Sequence, residues 1–422
     1  MGLHRAPRGA RHLTARREFL VDTRSIFGYK WCRCIVRLVT IRVGGTQVNV
    51  PLLDLRSQYL SIRDEVRAAL DRVYEGQHFI LGPQVTTLEH EIALYCGARY
   101  AVGVSSGTDA LLSSLMALGI GPGDEVITTP YTFFATAGSI VRAGAHPIFV
   151  DIDPASFNLE PSQVEDRITP QTRVVLPVHL FGRCADMAPL LALATRHDLA
   201  IVEDAAQAIG AQTDEGGRAG GIGNLGCLSF YPTKNLGGFG DGGMILTSDP
   251  KLRDILRSLR QHGSEGHYDH PRVGGNFRLD ELQAAVLLVK LRRLDGWTEA
   301  RQIRARHYNE AFRSLDLEGP DALILPEIPK AGRHVFNQYV LRTRQRDDLA
   351  RWLRSQGVGT AIYYPKSLHL QECLAFLGQK EGDFPEAERA ACEALALPIY
   401  PELTEEMQTY VIEAVNAFFR KR

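Results

Sequence analysis

Two hydrophobic periods alternate along most of the chain. PLLDLRSQYLSIRDEVRAALDRVYEGQ (51–77) places Tyr59, Ile62, Val66, Ala69, Leu70 and Val73 near helical spacing, which predicts an amphipathic helix after a short extended piece. Gly82-Pro83 interrupts the pattern, and VTTLEHEIALYCG predicts a second helix. From residue 100 short β-rich runs follow one another: YAVGV (100–104), EVITT (125–129), HPIFV (146–150), RVVLPV (173–178), LAIVE (199–203), LGCLSF (225–230) and GMILT (243–247). Helical stretches such as DALLSSLMALG and MAPLLALATRH separate many of them. Strands alternating with helices predict a mostly parallel sheet covered on both faces. RVVLPV and LAIVE carry no period-two polarity, as befits strands buried on both sides.

The pattern changes twice more. FRLDELQAAVLLVKLRRLDGWTEARQIRARHYNEAF (277–312) reads as a long helical segment with few breakers. After about residue 315 a strand, HVFNQYVLRT, and helices, DDLARWLRSQG and TEEMQTYVIEAVNAFF, predict a smaller α+β domain. The division expected is a basic, disordered extension over 1–47, a large α/β domain over 48–300 and a small domain over 301–422.

Charge sharpens the first boundary. Residues 1–47 hold ten Lys and Arg against Glu18 and Asp22, a balance of +8. The whole chain carries −1, so the remainder carries −9. That gives the folded part no basic footprint for nucleic acid. A targeting peptide or a binding arm fits the basic stretch by composition, but it lacks the apolar core of a secretory signal. The plainest reading is an extension without ordered structure, the folded part starting near Val48. Seven cysteines, with no CxxC pair and no histidines at zinc spacing, suit free thiols in a reducing compartment and no metal site. No apolar run is long enough for a membrane span, so a cytoplasmic protein is expected.

Open parallel sheets bind ligands at the carboxyl ends of their strands. Polar residues just past those ends are therefore the candidates. Gly107 and Thr108, in SSGTDALLSSL, open a helix whose free N–H groups suit a phosphate, or else form a simple cap with Ser106. Asp204, at the tip of an apolar strand, needs a cationic or N–H partner. A protonated ring nitrogen would serve, and so would a buried ion pair or a helix N-terminus. Gln207 follows three residues on. Lys234 lies in SFYPTKNLGGFGDGG among aromatics and glycines, surroundings that lower an ammonium pKa and free the amine for imine chemistry. Ser229, five residues earlier, can share the phosphate of the 105–108 turn. Phe133 or Phe134 could stack on a planar ring, though such aromatics are often core. Asn276 and Arg278, ahead of the long helix, are ordinary taken singly. Together these describe a phosphate cup, a carboxylate for a ring nitrogen, a stacking aromatic and an imine-forming lysine, which fits pyridoxal phosphate.

SGTDAL, EDAAQAIGA, SFYPTKNLGGFGDGG, GGNFRLDELQAA and YYPKSLHLQ, in that order, resemble the DegT/DnrJ/EryC1/StrS family from about Pro51 to the C-terminus. The resemblance implies the fold-type I aminotransferase architecture, aspartate aminotransferase-like, with a large domain, a small C-terminal α+β domain and a homodimer sharing its active sites. It implies pyridoxal-phosphate transamination from L-glutamate to a nucleotide-linked keto-sugar by a ping-pong route. Lys234 resembles the cofactor-linked proton carrier and Asp204 the ring-nitrogen partner. Gln207 lies where the family faces the ring, Phe133 matches the stacking aromatic, and Gly107, Thr108 and Ser229 match the phosphate cup. Asn276 matches a residue that reaches the phosphate from the neighbouring subunit. Arg278, Tyr363, Tyr364 and His369 are the sugar-contact candidates. PVHLFGRCADM (177–187) looks more like members that install a 3-amino group. Rival readings are a dehydratase, which commonly replaces the lysine with histidine, and a non-catalytic regulator on the same scaffold.

Overall fold

The seven apolar runs become one sheet. In the computed structural model, which describes residues 42–43, 46–47 and 49–420, they form β1 (Tyr100–Val104), β2 (Glu125–Thr128), β3 (His146–Phe149), β4 (Thr172–Val175), β5 (Ala200–Asp204), β6 (Leu225–Ser229) and β7 (Gly243–Thr247). The strand order is β1-β7-β6-β5-β4-β2-β3. β7 pairs antiparallel with both β1 and β6, and the other pairings are parallel. Six strands thus end on the same side of the sheet. Only β7 returns.

Helices α1 (Leu55–Gly76), α2 (Pro83–Cys96), α3 (Gly107–Ala117), α4 (Ala135–Arg142), α5 (Met187–His197), α6 (Pro250–Leu259) and α7 (Glu281–Leu291) accompany the sheet. α1 begins where the Asp54 carboxylate accepts the N–H groups of Arg56 and Ser57, each at 3.0 Å. Its stripe of Ile62, Val66, Ala69 and Val73 packs on Ala285, Val286 and Val289 of α7. α2 borrows its cap: Glu281 accepts the N–H groups of Gln84 and Val85 at 2.5 and 3.1 Å.

β1 is an edge strand, and its outer groups are covered by side chains. Glu89 accepts the Gly103 N–H at 2.8 Å, while Arg260 donates to the Gly103 carbonyl at 3.1 Å and to Glu89 itself. Beyond it, Ser105 N–H donates to the Phe277 carbonyl at 2.9 Å, which draws the 276–278 segment alongside the end of β1.

The long helical segment expected over 277–312 is broken. Arg293, with φ −102°, separates α7 from α8 (Leu294–Ser314). The expected domain boundary at 300/301 falls inside α8, so the division into a large and a small domain stays a proposal. The C-terminal part adds β8 (Tyr339–Arg342), paired antiparallel with β9 (Ala394–Leu397), and helices α9 (Arg346–Ser355), α10 (Pro385–Glu393) and α11 (Glu405–Arg420). Tyr308 and Phe312 of α8, Leu349 and Leu353 of α9, and Val411 and Val415 of α11 share one apolar cluster. Val50 belongs to it too and donates to the Gly357 carbonyl at 2.9 Å. The basic extension read over 1–47 lies outside the described residues except for a short antiparallel pairing of Arg42–Val43 with Thr46–Gln47. Among the described residues no helix is long and apolar enough to cross a membrane.

Candidate active site

Three strand ends meet at one place. Gly107, the first residue of α3, packs so closely on Ser229 that a Cβ at 107 would lie 2.7 Å from the serine Cβ and 3.1 Å from its Oγ. The two residues lie far apart in sequence and on different strand ends, yet they form one wall. Ser106 caps α3 by accepting the Asp109 N–H at 3.0 Å, and Thr108 follows in the first turn, half-buried. The cap and the phosphate reading are therefore compatible: the serine side chain serves Asp109, and the helix N-terminus stays available beside Ser229.

Strand alternation decides the roles of Glu203 and Asp204. Successive side chains on β5 face opposite sides. Glu203 turns inward, fully buried, onto His179 Nε2 at 2.9 Å and onto the N–H groups of Gly220, Ile222 and Gly223. Ala185 N–H donates to His179 Nδ1 at 3.0 Å, which leaves Nε2 to face Glu203. Asp204 faces the other way. It is 5% exposed, accepts from Thr136 Oγ1 at 2.8 Å and from Ala206 N–H at 3.2 Å, and has no basic side chain in ion-pair contact among the described residues. Burial pushes its carboxyl pKa up, against the Thr136 and Ala206 hydrogen bonds and the charge of Lys234.

Lys234 projects from the turn after β6 and is half-buried. Burial pushes its amine down to about 8, and the Asp204 charge opposes the shift. Only the neutral amine attacks a carbonyl. Capture of pyridoxal phosphate by the cofactor-free protein is therefore expected to accelerate as pH rises through about 8 and to level off above it. Stopped-flow absorbance across pH 6.5 to about 9.5 checks this, and a rate still climbing steeply toward pH ~10 would mean an ordinary lysine.

Gln207 is fixed at both ends of its amide: Oε1 accepts Phe181 N–H at 2.7 Å and Nε2 donates to Tyr364 Oη at 3.1 Å. Phe133 stands 6.2 Å from the Tyr364 ring and keeps 55% of its surface exposed, while Phe134 folds onto Gly138 of α4. Tyr363 and Tyr364 enter this region from the C-terminal part. Tyr131 holds them there, donating to the Tyr363 carbonyl at 2.5 Å and accepting Tyr364 N–H at 3.1 Å. Arg278 is half-buried beside Val104 at the end of β1, its Nε without a hydrogen-bond partner among the described residues. Asn276 is exposed and bridges to Gln261. Among the described residues no hydrogen bond or ion pair joins it to Lys234 or Asp204.

His369 departs from the expectation of a sugar contact. It is 1% exposed, its Nε2 meets Glu388 at 3.0 Å, and its ring packs edge-on against Phe384. Its neighbour Leu368 and the contacting Phe384 belong to one buried apolar cluster. Thr136, Tyr131 and the pair Asn235–Asn337 are the residues sequence reasoning missed. Asn235, beside Lys234, donates to the Val335 carbonyl at 3.0 Å and accepts from Asn337 at 2.8 Å. Each acts through a partner distant in sequence, so no local spacing announces it.

These residues fit pyridoxal phosphate. A glycine that tolerates no Cβ meets a serine at a helix N-terminus, a buried carboxylate lacks a contacting cation, and a lysine is depressed toward neutrality nearby. Comparison with known proteins agrees. Residues 60–416 match the DegT/DnrJ/EryC1/StrS aminotransferase family. The chain is 50% identical over 373 residues to the pleiotropic regulatory protein of Geobacillus stearothermophilus, covering 88% of this chain and 99% of that one. It is 43% identical over 357 residues to the UDP-N-acetyl-3-dehydro-alpha-D-glucosamine 3-aminotransferase of Acidithiobacillus ferrooxidans, covering 85% and 94%. Among solved structures it resembles Streptomyces venezuelae DesV in complex with a ketimine intermediate, at 43% identity and TM-score 0.84 over 88% of this chain and 98% of that one. The chain belongs to the DegT/DnrJ/EryC1/StrS family and is a pyridoxal-phosphate-dependent aminotransferase of fold type I.

Proposed function

We propose that this enzyme moves an amino group from L-glutamate to carbon 3 of a nucleotide-linked keto-sugar, as a cytoplasmic homodimer with shared sites. The observation that carries the reading is the convergence of Lys234, Asp204 and the Gly107–Ser229 cup at the carboxyl ends of β1, β5 and β6. Pyridoxal phosphate, when bound, supplies an aldehyde carbon to carry the amino group and a ring that withdraws electrons.

The chain's own groups do the rest. The α3 N-terminus, Thr108 and Ser229 hold the phosphate. Asp204, kept dry by burial and oriented by Thr136, keeps the ring nitrogen protonated. Gln207 and Phe133 would bear on the cofactor ring. Lys234 would anchor the cofactor through its Nζ and, once freed, would carry the proton exchanged between the amino donor and the cofactor. Arg278, Tyr363 and Tyr364 face the sugar nucleotide. Asn276 serves the neighbouring subunit's phosphate, which accounts for its exposure in a single chain. Tyr231 and Phe239 on the Lys234 loop, with Leu60, Tyr74, Phe79 and Ile80 on and after α1, leave apolar surface for a second copy to cover.

The carbon-3 assignment rests on PVHLFGRCADM and on the name of the Acidithiobacillus relative. The regulator reading draws on the name of the Geobacillus relative, but a scaffold without catalysis has no use for a depressed lysine beside a buried carboxylate. Lys234 also opposes the dehydratase reading. Incubation with glutamate and either 3-keto or 4-keto sugar nucleotides, followed by mass spectrometry, tests the proposal. Amino-sugar product is expected from the 3-keto substrates. Transfer to 4-keto substrates alone would overturn the carbon-3 assignment, and no transfer to either would overturn the substrate class.

A further inference from the structure

Lys234 sits in a turn that closes on itself. Its N–H donates to the Tyr231 carbonyl at 2.9 Å, and Gly238 N–H reaches back to the Phe230 carbonyl at 2.7 Å. Gly237 is wedged in the middle, where a Cβ would lie 2.3 Å from the Pro232 carbonyl oxygen. Its own carbonyl is held from α7: Lys290 Nζ donates to it at 2.5 Å. Seven residues earlier, on the same face of α7, Gln283 Oε1 accepts Phe239 N–H at 2.8 Å. One helix therefore grips the turn at two neighbouring peptide groups.

Lys290 is an unexpected residue for that position. It is 2% exposed and forms no ion pair among the described residues. The Phe239 and Trp297 rings lie 5.9 and 5.8 Å from its amine. Burial pushes the amine down to about 8, with the charge of Glu402 opposing. A cavity of about 250 Å³ borders it, lined by Leu55, Tyr59, Ile62 and Phe239 among others. An apolar side chain would suit such a place better, since a buried ammonium without a contacting carboxylate is costly. Besides the two rings, the Gly237 carbonyl is the group among the described residues that meets this ammonium.

We propose that Lys290 is a positioning residue for Lys234: it holds the Gly237 carbonyl against α7 and so fixes the turn from which the reacting amine projects. The proposal rests on the reading of Lys234 as the cofactor-bonding lysine. Only Asn235 and Leu236 lie between Lys234 and Gly237, and Asn235 is itself pinned to Val335 and Asn337. The turn therefore has little slack to absorb a released carbonyl. A displacement of about 1 Å at a reacting group costs on the order of 10²-fold in rate.

The test is Lys290→Met in the full chain, with Lys290→Arg beside it. Methionine is chosen over alanine because a shorter side chain would enlarge the cavity and admit water to replace the ammonium. Amide exchange of the 231–240 segment is followed by mass spectrometry in the cofactor-free protein. In the loaded enzyme, kcat and the KM for glutamate are measured. Lys290→Met is expected to speed exchange in 231–240 by ~10-fold and to lower kcat by ~10- to 100-fold, KM moving less than about threefold. Lys290→Arg, still a donor, is expected to recover most of both. Unchanged exchange, or faster exchange with an unchanged kcat, would overturn the proposal. Should the methionine variant fail to fold, Lys290→Gln, too short to reach Gly237, carries the same reading. The exchange measurement needs no cofactor, so it stands apart from the reading of Lys234, which the absorption band of the wild type with pyridoxal phosphate and its loss in Lys234→Ala test separately.

Discussion

Replacement of Lys234 by alanine is expected to lower amino transfer by ~10⁴-fold or more, because in the proposed mechanism one side chain both bonds the cofactor and carries the proton. The fold should survive. The turn is held by backbone contacts, Lys234 N–H to the Tyr231 carbonyl and Gly238 N–H to the Phe230 carbonyl, that do not involve the side chain. Removing an ammonium that burial already disfavours also relieves a cost. The variant should therefore melt within a few degrees of the wild type and still bind pyridoxal phosphate weakly through the cup. It should lose that cofactor on gel filtration, where the wild type keeps it. A thermal melt, a gel-filtration absorbance trace and a turnover assay separate these outcomes. Turnover within about tenfold of the wild type would remove Lys234 from the mechanism.

The second large effect is expected from Asp204→Asn. The amide keeps the shape of the carboxylate, and Thr136, whose hydroxyl also lies 3.1 Å from Thr132 Oγ1, can turn to accept from it. The stability change should stay near ~1 kcal/mol, the worth of one ordinary hydrogen bond. The charge is another matter. Without an anion beside it the ring nitrogen loses its proton, and the loss of one preorganised electrostatic partner typically costs ~10²- to 10³-fold in kcat. A second signature has its sign fixed by the structure. The Asp204 charge raises the Lys234 pKa, so removing it should move the pH midpoint of cofactor capture below about 8. A kcat near wild type together with an unmoved midpoint would show that the two residues do not share a site.

Much of this site is legible in the sequence because open parallel sheets place their chemistry just past apolar strands. YAVGV, LAIVE and LGCLSF are largely apolar runs, and the residues at or just past their ends, Gly107, Asp204, Ser229 and Lys234, are the ones the fold gathers. What stays hidden is whatever depends on a distant partner. Thr136 reads as an unremarkable helix residue until it is seen on Asp204, and Tyr131 as core until it holds the Tyr363–Tyr364 backbone. Lys290 sits in an apolar helical pattern where a lysine looks like a polar-face residue, and it turns out to be buried against the Lys234 turn. Two errors have the same origin. Arg292–Arg293 carry no breaker chemistry, yet α7 ends at Leu291 and α8 begins at Leu294. His369 looked functional beside two tyrosines, but the 3₁₀ turn at Leu368–Leu370 swings it inward onto Glu388.

The most direct test of the account is the visible absorption spectrum of the purified protein with pyridoxal phosphate, before and after L-glutamate. The account expects a yellow band from the lysine-bound cofactor that gives way to the shorter-wavelength pyridoxamine form as glutamate is added. It also expects that band to be absent in Lys234→Ala. A protein that stays colourless with saturating pyridoxal phosphate, or an unchanged band in Lys234→Ala, would contradict the assignment of Lys234 on which the mechanism depends.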